Sequence, residues 1–90
     1  MTTAMTEKMI KQKIKGREVA YTVRMYSRMR YYYLHTIDNI SVPESDPFPK
    51  KQDMNDFIEC YNETGDFSLS FRVGFRPEGM SVKEAINRMS

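Results

Sequence analysis

The chain is poor in the residues from which most catalytic and metal sites are built. It has one cysteine and one histidine in 90 residues, so it can form neither an internal disulfide nor a zinc site with several Cys and His ligands. Its four glycines are not clustered, which leaves no glycine-rich loop to hold a phosphate. These shortages predict that the protein is not an enzyme and binds no metal and no other cofactor.

Cys60 and His35 are the one pair that resembles a nucleophile with its base. Cys60 lies between Ile58 and Tyr61, near the inner side of a predicted helix, and free cysteines are among the most frequently buried residues. We therefore expect an inert core thiol. A lone cysteine also suits a reducing compartment, so the expected location is cytoplasmic.

Long apolar runs are absent as well. No run approaches the ~18 residues of a membrane-spanning helix, and lysines interrupt the first 15 residues where a signal peptide has an unbroken apolar stretch. We therefore expect no membrane partner. The length predicts a single domain, 1–90, with residues 1–5 frayed. Apolar residues at 40% and charged residues at 29% are typical of a folded chain.

Charge is unevenly distributed along the sequence. Residues 1–37 contain eight Lys and Arg against two acids, a net charge of +6. Residues 38–66 contain two lysines against eight acids, a net charge of −6, and residues 67–90 carry a net +2. Such segregation can steer a charged partner even though the whole chain carries only +2. An ordinary solvated surface is the alternative explanation.

The hydrophobic pattern of the first half predicts a helix followed by strands. From Thr6 to Lys15, a narrow apolar stripe and a following Gly16 indicate a short helix with a glycine C-cap. Residues 17–37 alternate between apolar and polar with a period of two and are rich in Val and Tyr, which favours strand. The alternatives are a hairpin turning near Ser27 through an odd-length loop, one long bent strand, and a long helix.

The second half continues the mixed pattern. Residues 38–51 hold three of the four prolines and predict an extended loop. Apolar residues spaced i, i+3, i+4, i+7 predict a helix over residues 50–63, and strict alternation predicts a strand over residues 67–75. Ser81 and Glu84 form a capping box that starts a last short helix. The predicted fold is therefore α+β: about three antiparallel strands against two or three short helices, in the order α-β-β-α-β-α.

Basic and aromatic residues interleave along the central segment, a pattern typical of nucleic-acid binding. Lys and Arg contact phosphates, and aromatic rings stack on unpaired bases. Period-two alternation places the central basic and aromatic side chains on one strand face, and neighbouring segments extend it. The predicted contact residues are Lys11, Lys13, Lys15, Arg17, Arg24, Tyr26, Arg28, Arg30, Tyr32, Arg72 and Arg76.

A protein partner is the alternative. Tyr and Arg are enriched at protein–protein hot spots, and the acidic helix could occupy a basic cleft of a partner, in the manner of small inhibitors of phages and mobile elements. The residues of this acidic face are Asp53, Asp56, Glu59 and Glu63. Self-association as a homodimer through the Tyr and Met side chains, and a half-buried sheet without any partner, are also compatible with the pattern.

Overall fold

The computed structural model describes residues 6–44 and 46–90 and shows an α+β chain in which all strands precede the helices. One antiparallel sheet contains β1 (Thr6–Ile14), β2 (Arg17–Tyr26), β3 (Met29–Ile37) and β4 (Ile40–Ser41), side by side in chain order. The helices are α1 (Lys51–Thr64), α2 (Phe67–Gly74) and α3 (Val82–Met89). The α+β class is confirmed, whereas the predicted order of elements is wrong. The predicted fraying of residues 1–5 lies outside the described residues.

β1 occupies the segment that was predicted to be the first helix. Lys15 and Gly16 form a two-residue hairpin turn with positive φ angles of 51° and 82°. Glycine also adopts a positive φ at a helix C-cap, so Gly16 is compatible with both structures. The strand forms because its whole length pairs with β2. Met9 and Ile10, which a helix would place on one stripe, point to opposite faces of the sheet.

The predicted hairpin near Ser27 is confirmed, and the long bent strand and long helix are wrong. Tyr26 pairs with Met29, so the turn has two residues instead of an odd number. The apolar face therefore changes parity between β2 and β3, and even-numbered residues of β3 face the core as far as Leu34. A bulge opposite Ala20 restores the original parity and returns Ile37 to the core.

α2 replaces the strand predicted over residues 67–75. Asp66 caps this helix by accepting a hydrogen bond from the backbone N–H of Leu69 at 3.1 Å. The alternating apolar residues fall into two helical stripes because α2 is covered on two sides. Phe67 and Phe71 pack against the ring of Phe57 in α1, and Phe71 also stacks on Phe48. On the other side of α2, Leu69 and Val73 face α3. Strict alternation over so short a segment therefore does not distinguish a strand from a helix buried on two sides.

The other predicted helices are confirmed within a residue or so. α1 begins at Lys51, and the backbone N–H of Glu84 donates to Ser81 Oγ at 3.1 Å at the start of α3. The predicted loop 38–51 also contains β4, and Phe48 pairs with the backbone of Tyr32. The helices of the described chain all lie on one side of the sheet, and none of them covers its other side.

Candidate binding face

The uncovered side of the sheet, called the open face below, is formed by alternate residues of three strands. Odd positions of β1 and even positions of β2 project there, and the two-residue turn brings odd positions of β3 to the same side. The open face contains Glu7, Met9, Lys11, Lys13, Glu18, Ala20, Thr22, Arg24, Tyr26, Met29, Tyr31, Tyr33 and His35. It combines charged, aromatic and thioether side chains on one side of the sheet.

Large apolar side chains on the open face are unusually exposed. Met9 is 60% exposed, Met29 57% and Tyr26 42%. Tyr26 and Tyr31 pack edge to face with centroids 5.8 Å apart, next to the β2–β3 turn. Exposed apolar side chains grouped on one face are typical of interaction surfaces, whereas scattered ones need no explanation.

Arg24 is held in one position near the centre of the open face. Its guanidinium lies 4.5 Å from the centroid of the Tyr33 ring, and its Nε donates to Glu7 Oε2 at 2.8 Å. The hydrogen bond to Glu7 raises the pKa of Arg24 above its usual value, and the nearby Tyr33 hydroxyl adds to the shift. A stacked, hydrogen-bonded arginine loses little rotamer freedom when it binds a ligand.

The bulge of β3 shapes the middle of the open face. It projects His35 onto this side, where the ring Nε2 lies 2.6 Å from Thr22 Oγ1. Two adjoining depressions of about 540 and 530 Å³ share Met9 and His35 in their walls. Glu44 and Asp46 line the first of them together with Glu7 and Arg24.

The predicted strand face of basic and aromatic residues is divided between the two sides of the sheet. Arg24 and Tyr26 are on the open face, but Arg30 faces the same side as Met25, and Tyr32 packs 6.3 Å from Tyr21 on the core side. The predicted face is wrong because the parity argument assumed an odd-length loop or a bend, whereas the turn has two residues. Arg28 lies in the turn itself, and Lys11 and Lys13 point to the open face.

Two of the predicted contact residues instead hold the sheet against α1. Lys15 pairs with Glu59 at 3.3 Å, and Arg17 pairs with Asp38 at 3.0 Å while lying over the ring of Tyr61. The pKa of Asp38 is lowered because its carboxylate accepts the backbone N–H of Glu18 and lies beside Arg17. These cations are engaged within the chain.

Arg72 and Arg76 do not join the basic face, because the segment that carries them is not a strand of the sheet. Arg72 Nη2 donates to the carbonyl of Met89 at 2.8 Å, between α2 and α3. Arg76 Nη2 lies 2.9 Å from Asp56 Oδ2, with side-chain exposures of 16% and 5%. Both arginines therefore connect helices.

The acidic side chains of α1 do not form one exposed face. Asp56 is buried and accepts from both Arg76 and Gln52, and Glu59 pairs with a lysine of the β1–β2 turn. Asp53 is half-buried, and its pKa is raised by burial and by the adjacent carboxylate of Asp56. Glu63 is exposed. The predicted acidic face is therefore wrong at Asp56.

The structure separates the other candidate groups. Cys60 is buried beside α3, on the helical side of the sheet, whereas His35 is on the open face. Within residues 6–44 and 46–90, no three His, Cys, Asp or Glu side chains are grouped so that they could hold a metal ion. No helix in the same part of the chain has the length and apolarity needed to cross a membrane.

Met9, Tyr31, Tyr33 and His35 belong to the open face although the sequence patterns did not select them. A two-residue turn at Ser27 would have identified both tyrosines, but no Asn-Gly or Asp-Gly pair marks it.

Comparison with protein-family models, curated proteins and solved structures finds no match for this chain. The function is therefore inferred from the geometry of the open face.

Proposed function

We propose that this protein is a non-enzymatic binding protein that uses its open face to contact a protein partner. The observation that supports this most directly is the exposure of Met9, Met29 and Tyr26 on one rigid surface with the fixed Arg24. Arg, Tyr and Met are enriched at protein interfaces, where a few such residues supply most of the binding energy. We place the protein in the cytoplasm, where the lone thiol of Cys60 stays reduced.

The charges of the open face indicate the chemistry of the partner. Cations at Lys11, Lys13 and Arg24 are nearly balanced by carboxylates within the face and on its rim, so the surface has no strong overall sign. Glu44 lies on the rim of a depression whose walls contain Met9, Tyr33 and Leu34 beside polar side chains. A partner that inserts an apolar side chain there and presents a Lys or Arg beside it would match both features.

Substitutions at the two exposed methionines test this proposal. We expect Met9→Asp or Met29→Asp to reduce capture of the partner from a host-cell extract about tenfold or more, because each buries a charge at the contact. The measurement is quantitative mass spectrometry of proteins retained on the immobilised chain. Thermal unfolding checks that each variant remains folded.

Asn87→Asp is the matched control, because it adds the same charge at an exposed position of α3. It is expected to retain the partner at the wild-type level. A partner captured equally by the wild type, by both methionine variants and by the control would place the contact outside the open face and contradict the proposal.

Nucleic-acid binding remains a second candidate because several cations make no ion pair with any described residue. Lys11 and Lys13 lie on the open face, Lys8 and Arg30 on the other side of the sheet, and Arg28 in the β2–β3 turn between them. A single strand of nucleic acid that passes around this end of the sheet could contact all of them through its phosphates. These residues are Lys8, Lys11, Lys13, Arg28 and Arg30.

Salt dependence distinguishes this candidate from the protein-partner proposal. Five phosphate contacts with a single strand predict an affinity loss of about 100-fold between about 50 and 200 mM salt. Fluorescence anisotropy of a labelled single strand and a labelled duplex measures it. Arg28→Glu should weaken binding further, whereas Lys83→Glu on α3 should not. Absence of binding at the lower salt concentration would reject the nucleic-acid candidate.

A further inference from the structure

The two edges of the sheet differ in how far they are covered. On the β3 edge, β4 pairs with the end of the strand, and Tyr32 and Phe48 exchange backbone hydrogen bonds of 2.9 Å in both directions. On the other edge, β1 extends over nine residues that are almost all exposed, and within the described part of the chain no strand pairs with its outer side. Such an edge is a template for another strand.

The turn geometry determines which backbone groups of β1 are available. Ile14 and Arg17 close a two-residue turn, so their backbone groups hydrogen-bond to each other. Hydrogen-bonded and non-hydrogen-bonded pairs then alternate along the ladder. The even residues of β1 therefore bond to β2. The residues whose N–H and C=O groups point away from the sheet are Glu7, Met9, Lys11 and Lys13.

We propose that a second copy of this chain pairs with β1 through its own β1, antiparallel, with Ile10 opposite Ile10 on a two-fold axis. In this register, each residue whose backbone N–H and C=O groups point away from the sheet lies opposite another such residue, as backbone hydrogen bonding requires. Glu7 lies opposite Lys13 of the second copy, and the reverse pair repeats on the other side of the axis. Met9 lies opposite Lys11, so no like charges meet.

Other two-fold registers oppose lysine with lysine. Centring the pair on Lys8, Lys11 or Lys13 places that residue opposite itself, and centring it on Gln12 places Lys11 opposite Lys13. Like charges directly across an antiparallel pair are destabilising. The lysines of β1 therefore protect this edge from most strand partners and leave few registers open.

Two registers avoid these repulsions, and they differ in how much of the strand they use. Centring on Met9 pairs only residues 6–12 and moves Lys13 away from Glu7. Centring on Ile10 uses all of β1, from Thr6 to Ile14, and forms both Glu7–Lys13 pairs. Both registers form two glutamate–lysine pairs, Glu7 with Lys11 in the first and Glu7 with Lys13 in the second. The second register is favoured because it pairs more residues and forms more backbone hydrogen bonds.

Pairing of this kind would extend the structure without rearranging it. About eight backbone hydrogen bonds would join the two copies, since four outward residue pairs each exchange two bonds. Lys13 of the second copy would join the existing Glu7–Arg24 pair, and the half-buried Ile10 would be covered by its counterpart. The two open faces would form one continuous eight-stranded surface, twice the area available to a partner.

Two charge-reversed variants provide the test, with mass in solution measured by sedimentation velocity over a range of concentrations. The wild type is expected to dimerise. Glu7→Lys alone places lysine opposite Lys13, and Lys13→Glu alone places glutamate opposite Glu7, so each is expected to raise the dimer dissociation constant at least about tenfold. In an equimolar mixture the two variants are complementary at both positions, and a mixed dimer is expected to form.

The mixture separates the proposed interface from effects on the fold, because a destabilised chain is not rescued by a second destabilised chain. Met9→Pro removes an outward N–H without removing a bond to β2 and is expected to give a monomer. Lys83→Glu on α3 is expected to dimerise like the wild type. A monomeric wild type at the highest soluble concentration, or a mixture that stays monomeric while the wild type dimerises, would overturn the proposal.

Discussion

Truncating Phe48 to alanine is expected to lower the free energy of unfolding by about 3–5 kcal/mol. The ring is 1% exposed and lies between the sheet and the helices. It stacks on Phe75 with centroids 4.8 Å apart and on Phe71 at 6.2 Å, and it meets Phe57 edge to face at 5.8 Å. The residue therefore connects both layers, although it belongs to neither a helix nor a long strand.

The large effect follows from how tightly Phe48 is enclosed. A Cβ atom at Gly74 would lie 2.8 Å from the Phe48 ring, so the helix already approaches as closely as its backbone allows. The facing rings of Phe57 and Phe71 are carried by helices, which limits their collapse into a cavity. A domain of this size is stable by only about 5–15 kcal/mol, so the variant would lose a large share.

Urea unfolding followed by circular dichroism measures the change, with Phe75→Ala as the matched control. Phe75 stacks on the same ring but is 43% exposed, so its truncation should cost much less, about 1 kcal/mol. Equal losses for the two variants would show that Phe48 is not the central contact between sheet and helices.

The elements that could be predicted from the sequence are those whose local signals have one interpretation. α1 has apolar residues at helical spacing over about two turns, and α3 begins with the Ser81–Glu84 capping pattern. For residues 17–37, strand propensity correctly favoured strand, while the hairpin at Ser27 was one of three alternatives. In each case packing agrees with the local preference.

The elements that were predicted wrongly have local signals with two interpretations. Lys15-Gly16 fits a helix C-cap and a hairpin turn equally well, and only pairing with β2 selects the turn. The alternating residues of α2 fit a strand, and only burial on two sides makes them helical. Tertiary contacts decided both elements, and a single sequence does not display them.

The candidate site illustrates how one local feature changes a whole surface. Arg24, Tyr26, Lys11 and Lys13 were selected from the sequence and lie on the open face. A one-residue difference in turn length exchanges the faces to which the side chains of β3 project. The two-residue turn therefore places Tyr32 on the core side. Residues far from the turn were therefore assigned to the wrong face although their chemistry was recognised.

Replacing Arg76 with methionine is expected to cost about 3–5 kcal/mol in the free energy of unfolding. Besides its 2.9 Å contact with Asp56, the guanidinium donates to the carbonyls of Met80 at 2.6 Å and Val73 at 3.0 Å. Methionine preserves most of the length but none of the donors. Asp56 would remain buried without a counter-charge, and the carbonyls would each lose a hydrogen-bond donor.

A double-mutant cycle separates the ion pair from the carbonyl contacts. Asp56→Asn removes the buried charge, so Asp56→Asn combined with Arg76→Met should lose less stability than the sum of the two single losses. The coupling is expected to be about 1–3 kcal/mol, measured by urea unfolding of all four proteins. The loss in unfolding free energy that Arg76→Met still causes in the Asp56→Asn background then measures the contribution of the hydrogen bonds to the two backbone carbonyls.

The neighbouring pair of Lys50 and Glu78 supplies the control for this cycle. Its atoms are 3.6 Å apart, but the side chains are 67% and 95% exposed, so Lys50→Met should cost less than about 0.5 kcal/mol. If Arg76→Met lowered the free energy of unfolding equally little and showed no coupling to Asp56, the ion pair would not contribute to the stability of the fold. A large coupling would instead show that the buried Asp56 carboxylate stabilises the contact between the helices through Arg76.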